Sequence, residues 1–104
     1  MPDAYRVIIS PEAAANLLAL HAFIAQNSPA NAAKMVDRIL AAVETLKTVP
    51  HRTVLEHQSP RIQHPVRSLP VSPYVVFFRV LNDDRVVRIL TIRHGARRRP
   101  RRFE

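Results

Sequence analysis

The chain has 104 residues and no cysteine, and it is 47% hydrophobic and 23% charged. That is the composition of one globular domain with a modest core, and it excludes a disulfide framework, a thiolate metal site and a thiolate nucleophile. No apolar run approaches the ~20 residues that span a bilayer, and the N-terminus lacks a basic start followed by an apolar core, so the expectation is a cytoplasmic protein with no membrane partner. The net charge is +8, and residues 85–104 carry +7 of it, which favours a polyanionic partner such as nucleic acid or an acidic protein surface.

Taken in order, Tyr5-Arg6-Val7-Ile8-Ile9 predicts a short strand with Tyr5, Val7 and Ile9 on one face. Ser10-Pro11-Glu12 is a helix start: serine caps, proline suits the first helical position, and Glu12 complements the helix dipole. The first helix is predicted from Pro11 to Gln26. Ala13, Leu17, Leu20 and Ile24 form its core arc, with Glu12 and Asn16 on the opposite side. Phe23 falls off the leucine arc, as a partner contact or as packing for a neighbouring loop; His21 sits at the arc's edge. Ser28-Pro29 repeats the start signal, and a second helix is predicted to about Thr48. Val36, Ile39, Val43 and Leu46 form its stripe, and Lys34, Arg38 and Glu44 face outward. So short a link makes the helices an antiparallel hairpin, and Ala13, Ala14, Ala32, Ala33 and Ala42 let them approach closely.

Val49-Pro50 ends the second helix, and His51–Val66 reads as a loop without clear period. Val66–Val71 is a strand whose Pro70 argues for an edge. Tyr74–Val80 is rich in β-branched and aromatic residues, Asn82-Asp83-Asp84 is turn chemistry, and Arg85–Arg93 is a near-continuous apolar run expected of a central strand. The chain's only glycine follows in His94-Gly95-Ala96-Arg97, where the strand must stop. The predicted order is β-α-α-β-β-β, an α+β domain with a helical hairpin on a small antiparallel sheet, spanning residues 1–97 with a basic tail at 98–104.

Few residues offer chemistry. His94, beside Arg93 and Arg97, is placed for target contact, for proton transfer, or for capping a backbone carbonyl. Arg79 suits pairing with Asp83, Asp84 or a helix carboxylate. Arg97–Arg102 suits a phosphate or carboxylate surface, because guanidinium groups fork onto both. His51, His57 and His64 lack the acid or cysteine that would complete a zinc set, so neither metal nor cofactor is implied. There is no Gly-rich phosphate loop and no Ser-His-Asp signature.

Several fragments in order carry a resemblance across residues 4–97. They are Tyr5-x-Val7, Ser10-Pro11-Glu12-Ala13, Asn27-Ser28-Pro29 with Ala32-Ala33, Leu46 before Val49-Pro50, Arg67-x-Leu69-x-Val71, Tyr74–Val80, and Val87-x-Ile89-Leu90-x-Ile92-x-His94-Gly95-Ala96-Arg97. Together they resemble the RelE/ParE superfamily of type II toxins. The resemblance implies a growth-inhibiting toxin, of the plasmid-stabilisation kind, neutralised by a small acidic antitoxin in a heterotetramer or larger complex. It also implies one of two mechanisms: the RelE-like branch cuts messenger RNA on the ribosome, and the ParE-like branch poisons DNA gyrase. Metal-free RNA cleavage needs a base, an acid and a cation at the phosphorane. Val75 stands where RelE-like nucleases often carry a phosphate-binding arginine, and Phe103 stands where they want a hydroxyl or imidazole. His94, Arg97, Arg79 and Glu56 are the partial set left for a nuclease, and the His-Gly-Ala-Arg ending points to the ParE-like side. The expected target contacts are then Arg93, His94, Arg97, Arg98, Arg99, Arg101 and Arg102, and the expected antitoxin contacts Leu18, Phe23 and Arg79, beside an apolar groove and a free sheet edge. A non-toxic nucleic-acid-binding relic is a further alternative.

Overall fold

The computed structural model describes residues 4–48, 50–57 and 65–95. The elements are β1 (Arg6–Ile9), α1 (Pro11–Ala25), α2 (Pro29–Glu44), β2 (Val54–His57), β3 (Val66–Val71), β4 (Tyr74–Leu81) and β5 (Val86–His94), with short 3-10 turns at Thr45–Lys47 and Pro50–Arg52. The strands lie in the order β1-β5-β4-β3-β2. β2 to β5 form an antiparallel meander, and β1 joins parallel to β5 from Arg6↔Val86 to Ile9↔Ile89. The α+β class, the helical hairpin and the central place of β5 agree with the sequence. Two details correct it. The sheet is mixed, not purely antiparallel, because the meander ends on β5, which runs alongside β1 in the same direction. And the stretch read as loop contains the edge strand β2, which pairs Val54↔Ser68 and Leu55↔Arg67 before its register shifts. Four residues are too few to show a period of two. Pro70 lies beyond the part of β3 that β2 pairs, where a missing donor is tolerated.

Both helices start where the sequence places them. The Ser10 hydroxyl accepts from Ala13 N (3.1 Å) and the Ser28 hydroxyl from Asn31 N (3.1 Å), each followed by proline. Buried Ala13 and Ala32 let the helices and sheet close on one another. α2 stops at Glu44, short of Thr48. Thr45 Oγ1 bonds Ala42 O and Thr48 Oγ1 bonds Thr45 O, tightening the end into a 3-10 turn that still buries Leu46.

The main core lies between the hairpin and one face of the sheet: Leu20, Met35, Ile39, Val43 and Leu46 against Val76, Phe78, Val87, Ile89 and Ile92. A second buried cluster, Val66, Val75, Phe77 and Leu90, occupies the opposite face. β5 serves both faces through a bulge. Phe78 pairs Ile89 and Phe77 pairs Thr91, so Leu90 is the extra residue. Leu90 joins the second cluster, while Ile89 before it and Ile92 after it face the helices. The apolar run in the sequence thus reflects both faces being covered, with a parity switch at Leu90.

At the other end of the β4–β5 hairpin, Arg85 holds φ 55°, a left-handed conformation that closes the turn through Arg85 N to Asn82 O (3.2 Å). Tyr5 Oη donates to Asn82 Oδ1 (3.3 Å), and the Arg85 guanidinium lies 5.4 Å from the Tyr5 ring centre, so the chain's first strand buttresses the turn.

Ser10 has two tasks and Ser28 one. Besides capping α1, the buried Ser10 hydroxyl donates to Leu90 O (2.9 Å). Ser28→Ala is expected to cost about 1 kcal/mol in urea unfolding, the ordinary worth of a cap. Ser10→Ala is expected to cost about 2–3 kcal/mol, because it also leaves a buried carbonyl unsatisfied. Equal losses would contradict the second task.

Candidate functional site

The end of β5 is built by α1. β1 pairs β5 only as far as Ile89, and beyond that point side chains of α1 replace the strand. Ser10 takes the Leu90 carbonyl. Asn16 Oδ1 accepts from both Ile92 N (2.9 Å) and Thr91 Oγ1 (2.9 Å). Thr91 Oγ1 in turn accepts from Arg93 Nε (3.2 Å), and the Arg93 guanidinium stands 3.7 Å from Glu12. Asn16 is therefore not a solvent-side residue as the helical pattern suggests. Its half-buried amide clamps the strand, and with the bulge it fixes where Arg93 and His94 emerge. The half-exposed Arg93–Glu12 pair orients more than it stabilises.

His94 packs edge-to-face on Tyr74, ring centres 5.4 Å apart. The pair stands between two adjoining hollows. One, of about 470 Å3, opens between the end of α1, the first half of α2 and the start of β4, with Phe23, Ile24, Met35 and Tyr74 as its apolar lining and Lys34, Arg38 and His94 around it. The other, of about 190 Å3, lies between α1 and β5 and holds Asn16, Arg93 and His94. Phe23 lines both and is 64% exposed. Among the described residues, the ionisable lining of both hollows is cationic or imidazole apart from the Tyr74 phenol, and no carboxylate takes part.

The predicted site residues separate. Arg93, His94 and Phe23 come together here. Leu18 does not: at 200° round α1 from Leu20 it faces the far side, 75% exposed and outside both hollows. Arg79 pairs in register with Arg88 and Val66, and strand alternation places it with Val75 and Phe77 on the sheet's other face. It lies five residues along β4 from Tyr74, roughly 17 Å at strand rise. Glu56 belongs to β2, three strands from β5 in the sheet order. Of the partial nuclease set, His94 and Arg79 therefore stand on opposite faces of the sheet. Arg97, Arg98, Arg99, Arg101 and Arg102, and with them the tail at 98–104, lie outside the described residues.

The sequence missed Tyr74, Asn16, Lys34 and Arg38. Lys34 and Arg38 carried a signal, a basic pair one helical turn apart. Asn16 and Tyr74 looked like ordinary helix and strand residues. Gly95 was legible as special for a different reason from the one expected. Its φ is not left-handed. Its N donates to Pro73 O (2.7 Å), and a Cβ there would meet that oxygen at 3.2 Å, so glycine serves close approach. Among the described residues no cluster of three His, Asp or Glu is placed for a metal, and no helix is long and apolar enough to cross a membrane.

The family model for the ParE toxin of the type II toxin–antitoxin system parDE matches residues 7–99. The chain belongs to the ParE toxin family. Solved structures share its fold. The chromosomal ParDE toxin–antitoxin system of P. aeruginosa superposes with a TM-score of 0.68 at 24% identity, covering 88% of this chain and 97% of that one. The archaeal RelE–RelB complex of Pyrococcus horikoshii gives 0.67 at 18%, covering 91% and 99%. The RelBE2 toxin–antitoxin complex of Mycobacterium tuberculosis gives 0.61 at 17%, covering 88% and 98%. No curated protein sequence matches. The ParE-family chain is thus a type II toxin of the ParE/RelE superfamily, on a fold that both branches share.

The clamp predicts a local effect. Asn16→Ala is expected to lower stability by about 1–3 kcal/mol and to speed hydrogen exchange at the Ile92 amide selectively. Phe23→Ala, at an exposed position, is expected to stay within about 0.5 kcal/mol of the parent. An Ile92 amide that keeps its protection in Asn16→Ala would contradict the clamp.

Proposed function

We propose that this ParE-family toxin inhibits growth by binding DNA gyrase, with no covalent chemistry of its own, and that a small acidic antitoxin neutralises it. The observation that supports binding over RNA cleavage is the separation of His94 from Arg79. One faces the helix side of the sheet, the other the opposite side, and Val75 stands where RelE-like nucleases often carry an arginine. A phosphorane charge can be stabilised only by donors that converge on it. Arg93 and His94 at the end of β5, with Arg97, Arg98, Arg99, Arg101 and Arg102 following in sequence, are the proposed target contacts, acting in the cytoplasm where gyrase works. The antitoxin partner is supported by the solved neighbours, which are toxin–antitoxin complexes; the proposed assembly is a heterotetramer or larger.

One observation favours a second reading, RelE-like cleavage of ribosome-bound messenger RNA. A tyrosine hydroxyl and an imidazole, on Tyr74 and His94, lie side by side near Lys34 and Arg38. Such groups can exchange protons with a 2′-hydroxyl.

The purified toxin is expected to inhibit supercoiling by gyrase and to leave messenger RNA intact in a translation extract. Unchanged supercoiling with cut messenger RNA reverses the choice. Removing residues 98–104 is expected to abolish growth inhibition while antitoxin binding persists; undiminished toxicity would show that the tail takes no part.

A further inference from the structure

We infer that the face of the sheet turned away from the helices is a contact surface for the phosphate backbone of duplex DNA, through Arg6, Arg79 and Arg88. The inference goes beyond the proposed binding of gyrase. It adds a second surface, on the other side of the sheet from the His94 cleft, with a nucleic acid as its occupant.

Strand register brings the three arginines together. Arg79 on β4 stands directly opposite Arg88 on β5, and Arg88 in turn lies beside Ile8 on β1, two residues after Arg6. Residues opposite one another share a face, and so do residues two apart on one strand. Arg79 also pairs with Val66, a member of the buried cluster away from the helices, so all three arginines lie on that face. Arg6 is exposed, and Arg79 and Arg88 are half-buried. β1, β3, β4 and β5 contain no aspartate or glutamate. Two like charges directly opposite, with Cβ atoms about 5 Å apart, are unfavourable on their own, and an anion spanning them relieves the repulsion. Each guanidinium has five donors in a fork, so it can hold a phosphate oxygen alongside an acceptor from its own chain.

Burial and charge select the occupant. Val66, Phe77 and Leu90 are at most 1% exposed, and neither hollow is lined by any of them or by the three arginines. A protein segment docks by seating large apolar side chains. Among the described residues, Ile8 is the one large aliphatic side chain exposed on this face. A second copy of the chain carries +8 and is repelled. Duplex DNA carries a negative charge for every ~1.7 Å of its axis and asks of a surface only cations. Such contacts position the two molecules without reading sequence.

The test is the salt dependence of binding. The full-length chain is titrated into short labelled duplexes of unrelated sequence, by fluorescence anisotropy across a range of salt. The parent is expected to bind them alike, with an affinity that falls as salt rises. Arg6→Gln, Arg79→Gln and Arg88→Gln are each expected to reduce the log–log salt slope by about one. Lys47→Gln removes the same charge at the end of the helical hairpin and is expected to leave the slope unchanged. Circular dichroism checks that each variant is folded, and Arg6→Gln, at an exposed edge position, keeps the test decisive should the variants inside the sheet unfold. Tight binding by the parent with an unchanged slope in the folded arginine variants overturns the surface and leaves the DNA bound elsewhere on the chain. An equal drop on Lys47→Gln overturns it as well, since net charge alone would then act. Single-stranded RNA bound more tightly than the duplexes, and lost with the same arginines, overturns duplex DNA as the occupant. Polyglutamate bound in preference to the duplexes, and lost in the same way, overturns it in favour of an acidic protein. No binding by the parent overturns it outright. A chain that binds DNA through these arginines yet leaves supercoiling by gyrase unchanged refutes the gyrase reading and sustains this one.

Discussion

The structure depends on how β5 changes neighbours at Leu90. A strand ordinarily satisfies its edge with another strand or with solvent. Here β1 stops pairing at Ile89, β5 bulges, and α1 takes over with two side-chain groups, the Ser10 hydroxyl on Leu90 O and the Asn16 amide on Ile92 N. Both belong to the first two turns of one helix, and Ser10 is also the residue that starts it. Helix start, strand bulge and strand exit are thus fixed by one set of short contacts.

That arrangement sets what the far end of the strand can do. The bulge switches parity, so that Ile92 packs toward the helices while Leu90 fills the opposite cluster. His94 then meets Tyr74 in the cleft beside Phe23, Lys34 and Arg38, on the side of the sheet away from Arg79. A ribonuclease needs its groups convergent, whereas a binding surface needs apolar depth and one sign of charge. The described residues meet the second requirement better than the first, which is why binding leads in the proposed mechanism.

Much of this was legible in the sequence, for identifiable reasons. Ser10-Pro11 and Ser28-Pro29 announce helix starts because capping is local chemistry. The apolar run of β5 announces a central strand because burial on both faces removes alternation. Phe23 stood out by falling off its helical stripe, and it does line the site; Leu18, expected beside the same groove, does not. Helical angle shows that a residue leaves the core arc, but which neighbour lies on that side is a tertiary fact. The same limit hid Lys34, Arg38 and Asn16, because the residues across the hollow or the strand from them are distant in sequence. It hid β2 as well, a strand only because β3 offers it an edge. Arg79 and His94 look alike as candidates until strand alternation is counted from their pairing partners.

The end of β5 is the proposed surface through which this ParE-family toxin meets its target. The most direct measurement is hydrogen–deuterium exchange of the full chain with and without purified gyrase. The account predicts added protection at Ile92–Gly95. Protection confined to β1 and the Asn82–Arg85 turn, with the end of β5 unchanged, would contradict it.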